Sequence, residues 1–571
     1  MRDRWAVLYV HSLLAMAAFA SGWYVYSQAP ALPLVDEWGL LQEWTESPST
    51  LEWAWQHHNE HRYPLTKLIW LGILKASDFK FNAPQYATLA LMISAATLAL
   101  WTARGLRGCA HPIDAALPLL FLHYGHGLNW LMGYQLGFAL AAYGVVGWLW
   151  CAARLSAGGG RGWAYLSAIY AIFILTCGGF GLGFTPPLLI WFGYLAVRSL
   201  RRGEPGMAVA MAVFALGVLA YSATVFRTMP VMSTFGYEPV GQPLDFLGVV
   251  GANLACGLGT WPAYVTTNPT PLRVFAAAVS VAYAVGIARL LRRLWRERTN
   301  AAGSLALGLV ILGTLGVAVA TARARPSGML DRYVLFSACG FAALWLGVFA
   351  DPVRSHGRRG YWLGGALGLL LAGWLFRSNE APGLYEAYRF RDPTHYLVID
   401  LRAGEPALYL AGRHGGSLNV WRGDSLGEIL HALQNAGLRP FLAIPPDPAF
   451  TAQPIHELWP PQVWRCPEKD FAEGKAIPML DLPPPPPGAI ALRFVGTTTK
   501  WYGRTTLILS WIDAGTGLEQ SDIVFPSYFL DSMHHVFQLK GTPTRVRLRA
   551  GGPLEGFRIE AFEWLIGESA R

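Results

Sequence analysis

WAVLYVHSLLAMAAFASGWYVY (Trp5–Tyr26) contains no Asp, Glu, Lys or Arg, and it is followed closely by LPLVDEWGLLQEW (Leu32–Trp44) and WAWQHHNEHRYPL (Trp53–Leu65). The first piece has the length of a full bilayer span. Arg2 and Arg4 precede it and no Ala-x-Ala-like site closes it. It therefore reads as a retained helix with its N-terminus inside rather than a removed signal peptide. The stretch after it, Pro33–Arg62, holds four acidic residues before Ser47, then Glu52 and Glu60, with His57, His58 and His61. Charge that close to lipid is costly unless it has a task, which makes this loop the default functional site.

Over 571 residues, 53% are hydrophobic, 14% are charged and 24 are Trp, which excludes a string of soluble domains and points to a multi-pass membrane protein. The net charge of +9 is not a nucleic-acid signature. In the topology below, 17 Arg fall in the N-terminal tail and cytoplasmic loops against five acids (Asp3, Asp114, Glu204, Glu297 and Asp351), a surplus of 12 that exceeds the charge of the whole chain. Basicity thus reports which loops stay inside. The six cysteines, Cys109, Cys151, Cys177, Cys256, Cys339 and Cys466, show neither metal-ligand nor disulfide-framework spacing.

Working outward, Leu65 to Ala76 is short and carries Lys67 and Lys75, so it reads as an interfacial helix. Ala83 to Ala103 returns to Arg104 and Arg107. Pro112 to Arg154 folds back once at GHGLNWLMGY (Gly125–Tyr134), and Trp163 to Arg198 repeats the design at CGGFGLGF (Cys177–Phe184). Met207 to Phe226 crosses outward. A span at Phe246 to Trp261 would place Arg289, Arg292, Arg293, Arg296 and Arg298 outside, so that glycine-rich run is predicted to re-enter or lie at the interface. Pro271 to Leu291, Ala302 to Thr321, Tyr333 to Ala350 and Tyr361 to Phe376 complete about eleven spans. The N-terminus is then cytoplasmic and the C-terminal domain periplasmic.

Residues 1–376 form the transmembrane domain in this reading. Residues 377–482 form a soluble periplasmic α/β region. Five prolines, Pro483 to Pro487, make a stiff connector. In 488–571, ALRFVG, TTLILSWID, HHVFQLK and TRVRLRA alternate in strand fashion, which predicts a β-sandwich.

Asp36 and Glu37 sit between Pro33 and Trp38, and Trp44, Trp53 and Trp55 are expected to fix the loop in the membrane interface. A carboxylate there can serve as general base on an acceptor hydroxyl; the plain alternative is a pair of solvated charges. On a helix His57 and His61 would lie one turn apart and could share a metal, but no third ligand has diagnostic spacing. His57, His58, Asn59, Glu60 and His61 read better as a hydrogen-bonding rim that orients sugar hydroxyls, with Arg62 as the anion partner. The external turn carries Arg323, Arg325, Asp331, Arg332 and Tyr333, suited to a lipid phosphate or else snorkelling to head groups. His123, His126, Asn129, Tyr134 and Gln135 read mainly as packing and hydrogen-bonding residues, with Gln135 added to the orienting set.

A long external loop with acids just after the first span, aromatic interfacial helices, about a dozen spans and a C-terminal periplasmic domain resemble the GT-C superfamily of integral-membrane glycosyltransferases. VDEW, QHHNEHRYPL, NWLMGYQLGF and LDRYVLFS also resemble a group of bacterial multi-pass proteins across most of the membrane half. The superfamily resemblance implies a bacterial inner-membrane enzyme that transfers a sugar, with inversion, from a polyprenyl-phosphate donor to an envelope glycan, lipid or protein. Carried over by position, Asp36 becomes the catalytic acid-base residue with Glu37 as alternate, and Arg323, Arg325 or Arg332 holds the donor phosphate. The acidic motif here is DE rather than a spaced Asp-x-Asp. No residue is assigned to a metal; members of the superfamily differ on divalent-metal dependence. The rival readings are a lipid or glycan transporter, disfavoured by the few ionisable residues within the spans, and a non-catalytic polysaccharide-assembly scaffold.

Overall fold

The computed structural model describes residues 2–58, 61–228, 243–260, 269–296, 301–324, 331–349, 358–415, 418, 425–455, 462–466, 477–498, 507–524, 533–551 and 554–568. The chain divides into two compact units: Met1–Ala29, Ser49–Lys75 and Asn82–Tyr388 in one, and Pro30–Pro48, Ala76–Phe81 and Arg389–Arg571 in the other. The first is α-helical and of membrane type; the second combines helices with β-sheet.

Among the described residues, seven helices are long and apolar enough to cross a membrane: Asp3–Gln28, Ala83–Arg107, Gly133–Ser156, Gly179–Arg201, Pro205–Thr228, Leu272–Arg296 and Ala302–Arg323. Arg161–Thr176 and Val334–Phe349, both expected as crossings, are shorter apolar helices. Tyr361 to Phe376 is the beginning of a 46-residue helix, Arg358–Ala403, so the expected boundary at residue 377 falls inside a helix. The run expected to re-enter forms a 13-residue helix, Pro243–Ala255, followed by a 3-10 turn, Cys256–Leu258, and Gly259 at φ 111°. At 1.5 Å per residue that helix covers about 20 Å, short of a hydrocarbon core.

The outward limb of Pro112 to Arg154 departs most from expectation, because it is no long helix. It consists of 3-10 turns at Pro112–Ala116 and Tyr124–His126 and five-residue helices at Leu117–Phe121 and Gly127–Leu131. Pro112 and Pro118 remove amide donors and fix φ, and Gly125 and Gly127 loosen the chain between them. The limb still accompanies the first helix over most of its length. Ala110 donates its N–H to the Asp3 carboxylate (2.8 Å) at one end, and the Ser21 hydroxyl donates to the Leu122 carbonyl (3.1 Å) at the other. Irregular backbone at this depth is tolerable only inside protein, and residues 111–123 are all buried.

Leu65 to Ala76 forms a single helix with one buried face, leaving Gly72, Lys75 and Ala76 exposed. Its helix, Pro64–Ala76, buries Thr66, Lys67, Trp70, Leu71 and Leu74.

In the second unit all ladders are antiparallel. One sheet runs β1 (Phe450–Pro454), β9 (Leu554–Gly567), β4 (Ala489–Thr498), β7 (Met533–Gln538), with β2 (Gln462–Cys466) also on β9. The other runs β3 (Met479–Asp481), β8 (Pro543–Ala550), β5 (Leu507–Asp513), β6 (Glu519–Val524). Strands before and after the five prolines therefore share both sheets, which moves the start of the sandwich from residue 488 back to Phe450. The prolines carry the chain from β3 in one sheet to β4 in the other. Period-2 alternation buries Leu507, Leu509 and Trp511 of β5 against Phe494, Phe537 and Phe557 of the facing sheet. Phe557 and Ile559 keep the opposite parity to Phe562 and Trp564, yet all four are in the core. A bulge reconciles them, since Val495 faces Ala561 while Gly496 faces Ile559.

Candidate functional site

Asp36–Glu46, expected as loop, is an 11-residue helix of the second unit that packs against the Ser425–Asn435 helix. Trp38 is fully buried and meets the Phe441 ring at 5.9 Å, and the Trp44 ring stacks on Phe79 at 5.9 Å. Trp38 is thereby a core residue, whereas Trp44 stays half-buried. Val35, just before the helix, has φ 46° and ψ −113°. A β-branched residue at positive φ is a strained outlier, and such strain gathers at functional turns. Glu37 is 1% exposed and accepts the Leu34 N–H at 2.8 Å. Asp36 is half-buried at the first helical position. The structure thus separates the two acids: Glu37 is buried and braces the turn, and Asp36 stands half-buried at the start of the helix.

In the helical unit, His57, His58, His61 and Arg62 are not helical. His58 and His61 form an isolated β-bridge, exchanging N–H···O bonds of 2.9 and 3.1 Å. This removes the one-turn spacing of His57 and His61. Asn59 and Glu60 lie outside the described residues. Arg62 Nε donates to His57 Nε2 (3.1 Å), its Nη1 donates to the Trp55 carbonyl (2.9 Å), and its guanidinium lies 5.0 Å from the Trp55 ring centre. Burial, and then the positive charges of Arg62, Lys67 and His61, hold His57 below the usual imidazole range. Its ring stays neutral and serves as an acceptor.

Lys67 is fully buried, and Nζ donates to the carbonyls of Trp53 (3.0 Å) and Gln56 (3.2 Å) at the end of the Thr50–Trp55 helix. That is a cation placed on the negative end of a helix dipole. Its ammonium also lies 5.1 Å from the Trp53 ring centre. Trp53 is fully buried, so it is a packing residue and not an interfacial anchor. Tyr134 gathers the cluster, with His58, Tyr63 and Trp70 rings at 5.8, 5.2 and 6.5 Å. Gly179 makes room for it, since a Cβ there would overlap the His61 imidazole.

Arg323 has an exposed side chain near the end of the Ala301–Ala324 helix, and Arg325 lies outside the described residues. Arg332 is half-buried in the 3-10 turn Asp331–Tyr333, which contacts Tyr124–His126, Gly127–Leu131 and Cys256–Leu258. Tyr333 is buried with its ring edge on Phe138 at 5.6 Å. Gln135 is 2% exposed and its amide donates to the Met132 sulfur at 3.3 Å, so it is held inside the bundle.

Asn253 and Asn379, which sequence reasoning passed over, complete this convergence of broken elements together with His123 and His126. Asn379 accepts the Thr260 N–H (3.1 Å) and donates to the Leu258 carbonyl (3.1 Å), closing the turn after Cys256–Leu258. The Asn253 side chain is 2% exposed, and both of its polar atoms lack a protein partner. The His123 and His126 rings stack at 4.4 Å. Asn253, Asn379 and the His123–His126 pair lie more than 120 residues from one another in the chain, so no local pattern brings them together. Among the described residues no three His, Cys, Asp or Glu side chains group as metal ligands.

No family profile and no curated protein matches the chain. Among solved structures it is similar to ArnT from Cupriavidus metallidurans bound to undecaprenyl phosphate, at 15% identity and TM-score 0.37 over 76% of this chain and 78% of that one. It is also similar to the arabinosyltransferase EmbB from Mycobacterium smegmatis, at 12% identity and TM-score 0.33 over 97% of this chain and 64% of that one. At these scores neither likeness carries the chemistry of the site.

Proposed function

We propose that the chain is a membrane glycosyltransferase that moves a sugar from a polyprenyl-phosphate donor to an envelope acceptor on the periplasmic face of the bacterial inner membrane. The observation that supports this reading is the placement of Asp36. A strained Val35 and a buried Glu37 tied to Leu34 hold one half-buried carboxylate at the first residue of a helix. The donor class is the one implied by the resemblance to the GT-C superfamily.

Asp36 takes the proton of the acceptor hydroxyl. The oxygen attacks the anomeric carbon opposite the phosphate, the bond to the polyprenyl phosphate breaks, and the configuration inverts. Arg332, with Arg323 and Arg325, carries the leaving phosphate, since a guanidinium forks onto two of its oxygens. Tyr333 anchors that turn through its buried ring. His58, Asn59, Glu60 and His61 belong to the rim that orients the sugar, Gln135 supports that rim from inside the bundle, and Arg62, held by His57 and Trp55, supplies an anion partner. Glu37 is a positioning residue.

Purified protein is incubated with radiolabelled polyprenyl-phosphate sugars and a cell-envelope extract. Asp36→Asn is expected to slow label transfer by about 10²- to 10⁴-fold, the usual span for loss of a general base. Transfer at the wild-type rate by Asp36→Asn removes Asp36 from the mechanism. Glu37→Gln retains an acceptor for Leu34 and is expected to lose less.

A further inference from the structure

We propose that the arginine-rich end of the helical unit holds a site for the phosphate group of an anionic phospholipid. It lies at the other end of the Leu136–Ser156 helix from the His58–Tyr134 contact. A cavity of about 230 Å³ opens there, lined by Arg161, Arg198 and Arg202 with one acid, Glu204. Three cations against one carboxylate leave the lining at +2.

The three guanidiniums are not used up by the protein. Arg161 Nε meets Glu204 at 3.1 Å while its side chain stays 65% exposed. Arg198 gives one N–H to the Leu155 carbonyl (3.0 Å), which fixes its direction and leaves its remaining donors. Arg202 is exposed on a rigid turn, where the N–H groups of Arg202 and Glu204 both bond the Ser199 carbonyl (3.1 and 3.0 Å) and Gly203 takes φ 70°. Arg154, by contrast, stacks on Trp163 at 5.3 Å and does not line the cavity. Gly160 provides no side-chain cap for the Arg161–Thr176 helix, so the first amides of that helix add partial positive charge.

The rest of the lining selects a lipid over a free ion. Leu155, Leu195 and Met207 form the apolar part of the wall. Val197, Leu200, Val209 and Val213, on the two helices that flank it, expose between 49% and 63% of their surface, as lipid-facing side chains do. A basic pocket between membrane helices, opening beside apolar surface, suits a phosphate that carries acyl chains. Inorganic phosphate shares the charge chemistry but gains nothing from that wall.

The full chain is purified into zwitterionic phosphatidylcholine discs doped with phosphatidylglycerol, and retained lipid is counted by native mass spectrometry. Wild type is expected to retain phosphatidylglycerol, and Arg202→Gln to weaken it about fivefold, with a larger loss when Arg161→Gln is added. Arg201→Gln removes the same charge from an exposed residue that does not line the cavity, and is expected to leave retention unchanged. Equal retention by Arg202→Gln, or an equal loss in Arg201→Gln, overturns the site in favour of diffuse surface charge. Melting curves with inorganic phosphate form the second arm. Stabilisation by phosphate equal to that by phosphatidylglycerol overturns the lipid assignment. The site stands independently of the transfer chemistry.

Discussion

Toward the Gln135 end of the Leu136–Ser156 helix, Lys67 is spent on protein acceptors, while Arg62 is held by two and keeps further donors. Lys67 holds two carbonyls, and Arg62 holds His57 and the Trp55 carbonyl. Toward the Ser156 end, Arg161, Arg198 and Arg202 keep donors in reserve around a cavity. The contrast is not one of charge count. A cation boxed in by carbonyls and ring faces fixes backbone geometry, and its removal strands acceptors that water cannot reach. A cation left open can exchange water for an anionic ligand, and its removal costs the fold little.

Arg107 is the exception that sharpens the comparison, because it lies with the open arginines in sequence character but is spent like Lys67. It grips Asp114 with two bonds of 2.6 and 3.0 Å, with 0% and 5% of the two side chains exposed, and it bonds the Phe349 carbonyl at 2.9 Å. Arg107→Met should therefore be the most destabilising of these changes, by about 4 kcal/mol, because it leaves Asp114 buried and unpaired. A melting temperature within a degree of wild type would break the distinction. Lys67→Met should cost about 2 to 3 kcal/mol by stranding the Gln56 carbonyl and leaving Trp53 only the Gln56 N–H, read by the same thermal assay.

Next in size is a pH effect at His57. Its folded-state affinity for protons is lowered, so below the ordinary imidazole range the unfolded chain binds more protons than the native one. The stabilising contact with Arg62 is full above that range and is lost as the pH falls through the lowered value. Wild type should lose stability between pH 7.5 and 5 more steeply than His57→Gln, which cannot titrate. Parallel slopes would remove His57 as the cause. Smallest of all, Arg202→Gln should change unfolding stability by less than about 0.5 kcal/mol while still losing lipid. A larger loss of stability would move Arg202 into the spent class.

Much of this contrast was legible in part. The strand alternation of TTLILSWID survives as β5, and its inward residues can be read by counting in twos. The Pro112 to Tyr134 limb was marked as broken by its glycines, but not as broken from Pro112 onward. An apolar run that contains Pro112 and Pro118 can still lie inside a bundle when neighbouring helices cover its backbone. The five prolines misled for a related reason: stiffness reads as a linker, yet β1 and β2 return to pair with β9 across them. Pairing partners 88 to 117 residues apart leave no local trace.

The sequence by itself determined that the chain enters membranes, that arginines gather at the ends of its apolar runs, and that its last third is rich in strands. Hydrophobic length, charge bias and period-2 alternation are local properties, written directly in residue order. Only the tertiary structure decided that Asp36 begins a helix while Glu37 is locked behind it. It alone decided that His58 and His61 pair as a bridge, and which arginines are bound and which are free. Each of those outcomes depends on a partner distant in sequence or on a backbone angle, and residue order constrains neither one locally.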